Sequence, residues 1–451
     1  MIRRTKALII TAGLAAAALA VPWLVPVARF IPVIEAKASE RLGEPVKIAS
    51  LRLSLVPLPH FVATGVSAGT TPLGEIARVT VRPSLLHLFS ETKVLREIRL
   101  ERVVLQQALL QRLGALSLSR AGPSAVRVDR VVIEDGKLQL RGATIRDLDA
   151  EILLNDDGRP REIRITSEGG RLKVVARPEP GGALALAIAA RAWTLPAGPA
   201  ILFDRVDATA LLTRNGIESR DFRATLYAGT VSGPLTVSWK PGWAISGEMS
   251  VKGVALQALA GLFFREHTVS GKLSGGPRFA VRAKHARDLL PSLELASDFT
   301  IRDGVLHKVD LVAAARNPLA RQDASAGKGT ETRFDELSGH LSVDRDGYHF
   351  SSLQVASGLL RATGGISIAR DKTLDGRVNA ELRGTASLLT VPLHVSGTAQ
   401  DPVVRPTKSA VAGAVAGSVL LPGIGTAIGL KASQLTDKLF GGKKRAGAGT
   451  K

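Results

Sequence analysis

The chain has 451 residues, enough for more than one domain, and no cysteine, which excludes disulfides and thiolate metal sites. Lys and Arg number 60 against 40 Asp and Glu, for a net charge of +20, which suits an anionic partner such as a phospholipid surface. Aromatic residues are only 4% of the chain and are not interleaved with the basic ones, so nucleic-acid binding is not expected.

The N-terminus carries Arg3, Arg4 and Lys6 ahead of Ala7–Ala28, a stretch without a charge. Its length, about 20 residues, is what a bilayer core requires. Leu8, Ile9, Ile10, Leu14, Leu19, Trp23 and Leu24 would face lipid in such an anchor. The basic flank places the start in the cytoplasm and the remainder across the membrane. Ala18-Leu19-Ala20 also fits a signal-peptide cleavage site, but the apolar run continues past it, which favours an uncleaved anchor.

Residues 31–43 read as a short amphipathic helix ending at Gly43. Val46–Val56, Phe61–Ala68, Glu75–Arg82 and Val94–Leu110 read as strands, with a proline-opened turn over residues 83–89. Residues 111–125 form a Gly/Ser/Ala-rich connector. From Val126 onward, strands recur between Asx-Gly pairs at 135–136, 157–158, 215–216, 303–304, 346–347 and 375–376, each of which predicts a hairpin turn. Helical spacing interrupts the strands at 254–264 and 286–293, and 317–332 reads as a polar loop. Ala410–Ala432 is small and apolar, with Gly413/Gly417 and Gly425/Gly429 four apart. Pro422 splits it into halves too short to cross a membrane. It suits a helical hairpin packed on the β core, on another copy or on a membrane.

The clearest pattern lies in residues 221–253. Phe222, Ala224 and Leu226 share one parity; Val231, Leu235, Val237 and Trp239 follow in the next run; Trp243, Ile245, Met249 and Val251 in the third. Polar residues occupy the alternate positions, so three successive strands each have one apolar face. Ala228-Gly229 and Pro241-Gly242 punctuate them as turns. Phe222, Leu226, Val231, Leu235, Val237, Trp239, Trp243, Ile245 and Met249 are therefore the candidate ligand-facing residues.

No catalytic constellation accompanies this pattern. HExxH, GxSxG, a P-loop and CxxC are all missing from the sequence. His340 and His349 read as strand or surface residues, and Asp344–Gly347 as a hairpin turn rather than a calcium loop. No cofactor or metal is expected, and the chain is not read as an enzyme.

Several segments resemble the AsmA family of Gram-negative envelope proteins, related to the larger TamB-like proteins. They are LGEPVKIASLRLSLVPLPHFVATGVSAG after the apolar run, VRPSLLHLFSETKVLREIRLERVVL, TLYAGTVSG (225–233), GVALQALAGLF (253–263), VSGKLSGG (269–276), FTIRDGVLHKVDL (299–311), ELSGHLSVDRDGYHF (336–350) and VSGTAQDPVVRP (395–406). Residues 111–200 match that pattern poorly. The resemblance implies a single-pass inner-membrane anchor and a mainly β periplasmic body: a long, twisted antiparallel sheet with few short helices, shaped as an open groove with an apolar floor. It implies transfer of phospholipids between the inner and outer membranes in outer-membrane biogenesis. A non-enzymatic assembly or scaffolding role for outer-membrane proteins is the other expectation. A closed sandwich would satisfy the same alternation; the resemblance favours the groove. The expected organisation is an anchor over 1–30, an AsmA-like β region over 31–120, a middle β region over 121–200, a C-terminal AsmA-like β domain over 201–406 and an apolar tail over 407–451.

Overall fold

The computed structural model describes residues 27–56, 58–69, 74–87, 90–106, 126–140, 143–196, 199–240, 242–262, 269–284, 288–316, 331–358, 360–382 and 389–411. The chain is mainly β, with a few short helices. It divides into two compact units, Met1–Arg214 and Asn215–Lys451.

In the first unit, α1 (Ile31–Leu42) leads into β1 (Val46–Ser54), β2 (His60–Ala68), β3 (Gly74–Pro83) and β4 (Lys93–Gln106). These strands form an antiparallel meander. β5 (Val126–Val128) and β6 (Arg130–Leu140) then lie parallel to β4. A parallel step cannot be closed by a tight turn and needs a connection of about a dozen residues or more. The connector over 111–125 falls in that step and lies outside the described residues. β7 (Ala143–Leu154), β8 (Pro160–Ser167), β9 (Leu172–Pro178), β10 (Leu184–Thr194) and β11 (Leu202–Leu212) resume the antiparallel order.

Helix α1 runs back along the free edge of β1. Ile48 N donates to Glu35 Oε1 at 2.7 Å and Val46 N donates to Ser39 Oγ at 2.8 Å. Two amides of an edge strand are thereby occupied, which blunts edge-to-edge association. The helix stops at Gly43, whose φ of 67° suits glycine and whose amide donates to Ser39 O at 2.8 Å.

The second unit contains β12 (Gly216–Leu226), β13 (Gly229–Ser238), β14 (Trp243–Glu248), β15 (Ser250–Ala255), α2 (Leu256–Ala260), β16 (Val269–Gly275) and β17 (Arg278–Ala283). β18 (Glu294–His307), α3 (Leu311–Arg316), β19 (Glu331–Val343), β20 (Gly347–Ala356), β21 (Leu360–Ala369), β22 (Leu374–Leu382), β23 (Leu389–Gly397) and β24 (Pro402–Pro406) follow. β14 and β15 act as one bent strand against β13. β16 and β17 do the same between that strand and β18. Among the described residues the remaining pairings of this unit are antiparallel and run in chain order to β24. The last strand is short and bounded by Pro402 and Pro406, both poor partners for a further strand.

Three of the six Asx-Gly pairs are not turns. Asp135-Gly136 lies inside β6, Asp303-Gly304 inside β18 and Asp375-Gly376 inside β22. Asp135 (φ 55°) and Asp303 (φ 53°) sit at bulges, where the register against β7 and β16 shifts by a residue. An aspartate tolerates left-handed φ better than most residues, so the dipeptide that makes a hairpin turn also makes a bulge. The first turn of the 221–253 meander is also displaced by one residue. Tyr227 (φ 49°) and Ala228 (φ 62°) form the two-residue loop, and Leu226 pairs with Gly229. Gly229 is needed for a different reason: a Cβ there would lie 2.4 Å from Val254 N.

The helical readings shorten in the same way. Among the described residues, the helix over 254–264 is α2, and over 286–293 Leu290–Ser292 forms a 3-10 turn. Glu331 and Thr332 belong to β19 rather than to the preceding loop, of which 317–330 lie outside the described residues. Among the described residues, no helix is long and apolar enough to cross a membrane. The expected anchor residues Leu8, Ile9, Ile10, Leu14, Leu19, Trp23 and Leu24 lie outside them, as does 412–432 of the apolar tail.

Candidate functional site: an apolar sheet face

Strand register, not sequence alone, decides which side chains share a face. On β12, Ile217 and Ser219 are followed after a bulge by Phe222, Ala224 and Leu226. Opposite them on β13 stand Val237, Leu235, Gly233, Val231 and Gly229. β13 then sets Val237 against Ile245 and Leu235 against Gly247, while Val231 faces Val251. Trp239 and Trp243 flank the next turn with ring centroids 6.4 Å apart. β14 continues the row onto β17, with Trp243 against Ala283, Ile245 against Val281 and Gly247 against Phe279. All nine sequence-nominated residues therefore lie on one face. Leu226 and Met249 are buried, whereas Phe222, Val231, Leu235, Val237, Trp239, Trp243 and Ile245 are half-buried.

The same face continues through the unit and becomes a closed core. Phe299 and Ile301 on β18 meet Gly339 and Leu337 on β19, which lead to Val355 on β20, Ala362 on β21, Ala380 on β22 and Val391 on β23. Ala362, Ala380, Val391 and Leu393 have no exposed surface, and Leu360 is 1% exposed. Helix α3 covers this end: it packs on β22, β23 and β24, with Leu311 and Ala314 joining the same cluster as Ala410. The sequence reading missed α3. Its signal is Asp310, whose Oδ1 accepts from Ala313 N at 2.8 Å as a helix N-cap, followed by the apolar run Leu311–Ala315.

The first unit carries a comparable face. Val46, Ile48, Leu51 and Leu53 of β1 stand against Ala68, Val66, Ala63 and Phe61 of β2. The row continues through Ile76 and Val79 of β3, Leu100 and Val103 of β4, and Ile133 of β6. It reaches Ala150 of β7, Ile165 of β8, Val174 of β9, Ile188 of β10 and Ala208 of β11. Keeping this row requires a switch of parity within strands. The left-handed residues Gly65, Arg102, Asp135 and Asp147 supply it on β2, β4, β6 and β7.

The opposite face of this unit is ionic. Glu97 is 4% exposed and accepts from Arg82 Nη1 at 3.0 Å, Arg99 Nε at 3.1 Å and Arg130. Arg99 reaches Glu134 at 2.8 Å, Arg130 reaches Glu151 at 3.2 Å, and Arg164 bridges Glu151 at 3.0 Å and Glu162 at 2.6 Å. Arg177 closes the ladder on Glu162 at 2.8 Å. Burial by itself would raise the Glu97 carboxyl; the hydrogen bonds from Arg130 and Arg99 outweigh it and hold the group below the ordinary glutamate range. The alternation Arg96-Glu97-Ile98-Arg99-Leu100-Glu101 marks a charged face in sequence, but the partner Arg130 is identifiable only from the parallel β4–β6 register.

His340 Nδ1 lies 2.8 Å from Asp298 and His349 Nε2 lies 3.4 Å from Asp344, on exposed surface. Asp344 directs its Oδ1 to the amides of Asp346 and Gly347 at 2.8 and 3.2 Å. Those amides, Asp346 first, hold its carboxyl below the usual aspartate range. Asp344–Gly347 is thus an Asx turn. Among the described residues no group of three or more His, Asp or Glu converges to hold a metal.

No protein-family model, curated protein or solved structure matches this chain.

Proposed function

We propose that the protein is a non-enzymatic, membrane-anchored carrier of phospholipids, with acyl chains lying on the apolar face of β12–β14 and β17 and head groups in water. The observation that carries this reading is the half-buried row Phe222, Val231, Leu235, Val237, Trp239, Trp243 and Ile245, continuous with a face that is fully covered at β21–β23. An acyl chain leaving a bilayer exposes surface worth about 0.8 kcal/mol per CH₂, on the order of 10 kcal/mol for a long chain. An apolar sheet face offsets that cost without a specific pocket, and the absence of a catalytic motif from the sequence is consistent with transport rather than turnover. In this reading the sheet forms an open, AsmA-like groove, anchored through Ala7–Ala28 in the inner membrane with the body in the periplasm, and serves outer-membrane biogenesis. Native mass spectrometry of the full chain, with lipid extraction, tests it. Phospholipid released from the folded protein is the expected result. A lipid-free protein carrying a stoichiometric protein partner would instead favour an assembly factor acting on envelope proteins.

A further inference from the structure

The β1–β2 and β3–β4 connections lie at one end of the first sheet, as the pairs Ser54–His60 and Pro83–Leu95 require. Large apolar side chains project there into solvent: Val56 is 62% exposed, Leu58 60%, Leu85 47% and Leu86 86%. Because α1 runs antiparallel to β1, its beginning reaches the same end. It brings Phe30, Val33 and Ile34, all exposed, and the turn Val27–Phe30 packed on β1. Immediately before these residues in sequence stands the uncharged stretch Ala7–Ala28. Scattered exposed leucines mean little, but a cluster of them at one end of a sheet marks a contact surface.

We propose that this end of the first unit seats on a bilayer containing anionic phospholipid, with Leu58, Leu85, Leu86 and Val33 entering the interface. The proposal rests on the reading of Ala7–Ala28 as a membrane span. Several polar groups in the described part of the loop that presents Leu85 and Leu86 are bonded within it. Ser84 N donates to Val94 O at 2.8 Å, His87 N to Ser84 O at 3.1 Å and Ser90 Oγ to His87 O at 2.8 Å, and Ser84 Oγ and His87 Nδ1 are 3.0 Å apart. Each polar group already bonded within a loop lowers the desolvation cost of entering an interface. Around the apolar cluster stand the basic Arg29, Arg52 and Lys93 with the acidic Glu91, while farther along the same sheet end Asp156 and Asp157 are paired with Arg127 and Arg159. A recess of about 620 Å³ beside Val56 is lined in part by Arg52, His60 and Arg78. Basic residues flanking an apolar patch are the pattern of interfacial attachment to anionic lipid.

The lack of native cysteine makes the test direct. Leu58→Cys and Leu86→Cys, each labelled with an environment-sensitive nitrobenzoxadiazole probe, are placed in the full chain on vesicles of phosphatidylethanolamine with phosphatidylglycerol. Leu202→Cys is the control: Leu202 is 45% exposed and lies at the other end of the strands of the same unit, opposite Thr194. Flotation with vesicles reports the anchor separately. The expected result is flotation together with a blue shift, and quenching by doxyl-labelled lipid, at 58 and 86 but not at 202. Both should weaken when phosphatidylglycerol is omitted. Floating protein whose labels at 58 and 86 remain in water overturns the seating and leaves the anchor standing. A shift that lipid quenchers cannot reach places protein in the patch and also overturns it. Failure to float overturns both readings.

Discussion

Within the second unit, β12–β14 and β21–β23 present the same kind of apolar alternation on the same face, yet one stretch is half-open and the other sealed. Val237 and Ile245 are half-buried neighbours on adjacent strands, whereas Val391 and Ala380 are fully covered neighbours on adjacent strands. The difference lies in what packs over them. Leu311 and Ala314 of α3 and Ala410 complete the core over β22–β24. Binary patterning thus specifies a face but not its occupant; the chain supplies the lid at one end, and we assign the acyl chains of lipid to the other.

Charge substitutions break the comparison most sharply. Leu393→Asp should unfold the second unit, because an unpaired carboxylate in a site with no exposed surface costs several kcal/mol, a large part of a typical margin of about 5–15 kcal/mol. Loss of the cooperative thermal transition checks this. Removing part of the lid is milder. Leu311→Ala should cost about 2–4 kcal/mol by leaving a cavity beneath α3, read as a lower denaturant midpoint with an unchanged slope.

Glu97→Gln probes the other unit and should leave the second unit's transition in place. Its cost should be about 1–3 kcal/mol, below that of a fully buried ion pair because the three arginines reach water. The sign with pH follows from the depressed carboxyl. Its stabilisation is complete above the ordinary glutamate pKa, about 4.3, and is lost as pH falls through the lower folded value. The stability gap between the native chain and Glu97→Gln should therefore close as pH falls, measurable as melting temperature against pH. The smallest effect on stability is expected at the open stretch. Val237→Asp should cost about 1–2 kcal/mol, mostly lost strand preference and partial burial, since the new charge can reach water.

Much of this arrangement is legible in sequence, and the gaps have physical causes. The meander over 221–253 is plain because its parity holds through Phe222–Leu226, Val231–Trp239 and Trp243–Val251. Parity fails as a guide where a left-handed residue such as Gly65 or Arg102 intervenes, with or without a bulge. β1 passes from Val46 and Ile48 to Leu51 and Leu53, and β4 from Ile98 and Leu100 to Val103 and Leu105, so a period-two reading sees only partial alternation. Asp135-Gly136 and Asp303-Gly304 mislead for the same reason: a left-handed aspartate serves a bulge and a hairpin equally well. The Glu97–Arg130 contact depends on a parallel pairing across a connector, and no local pattern encodes such a pairing. The half-open state of Val237 against the sealed state of Leu393 depends on α3, a helix of six residues, too short for periodicity to mark.

The central claim is that lipid occupies the β12–β14 face, and photo-crosslinking in cells addresses it most directly. A photoreactive residue at Val237 points into the apolar row, between Leu235 and Trp239; the same residue at Ser238 points to the opposite face. The account predicts phospholipid adducts at 237 and none at 238. Absence of lipid adducts at 237, or equal capture at both positions, would contradict it.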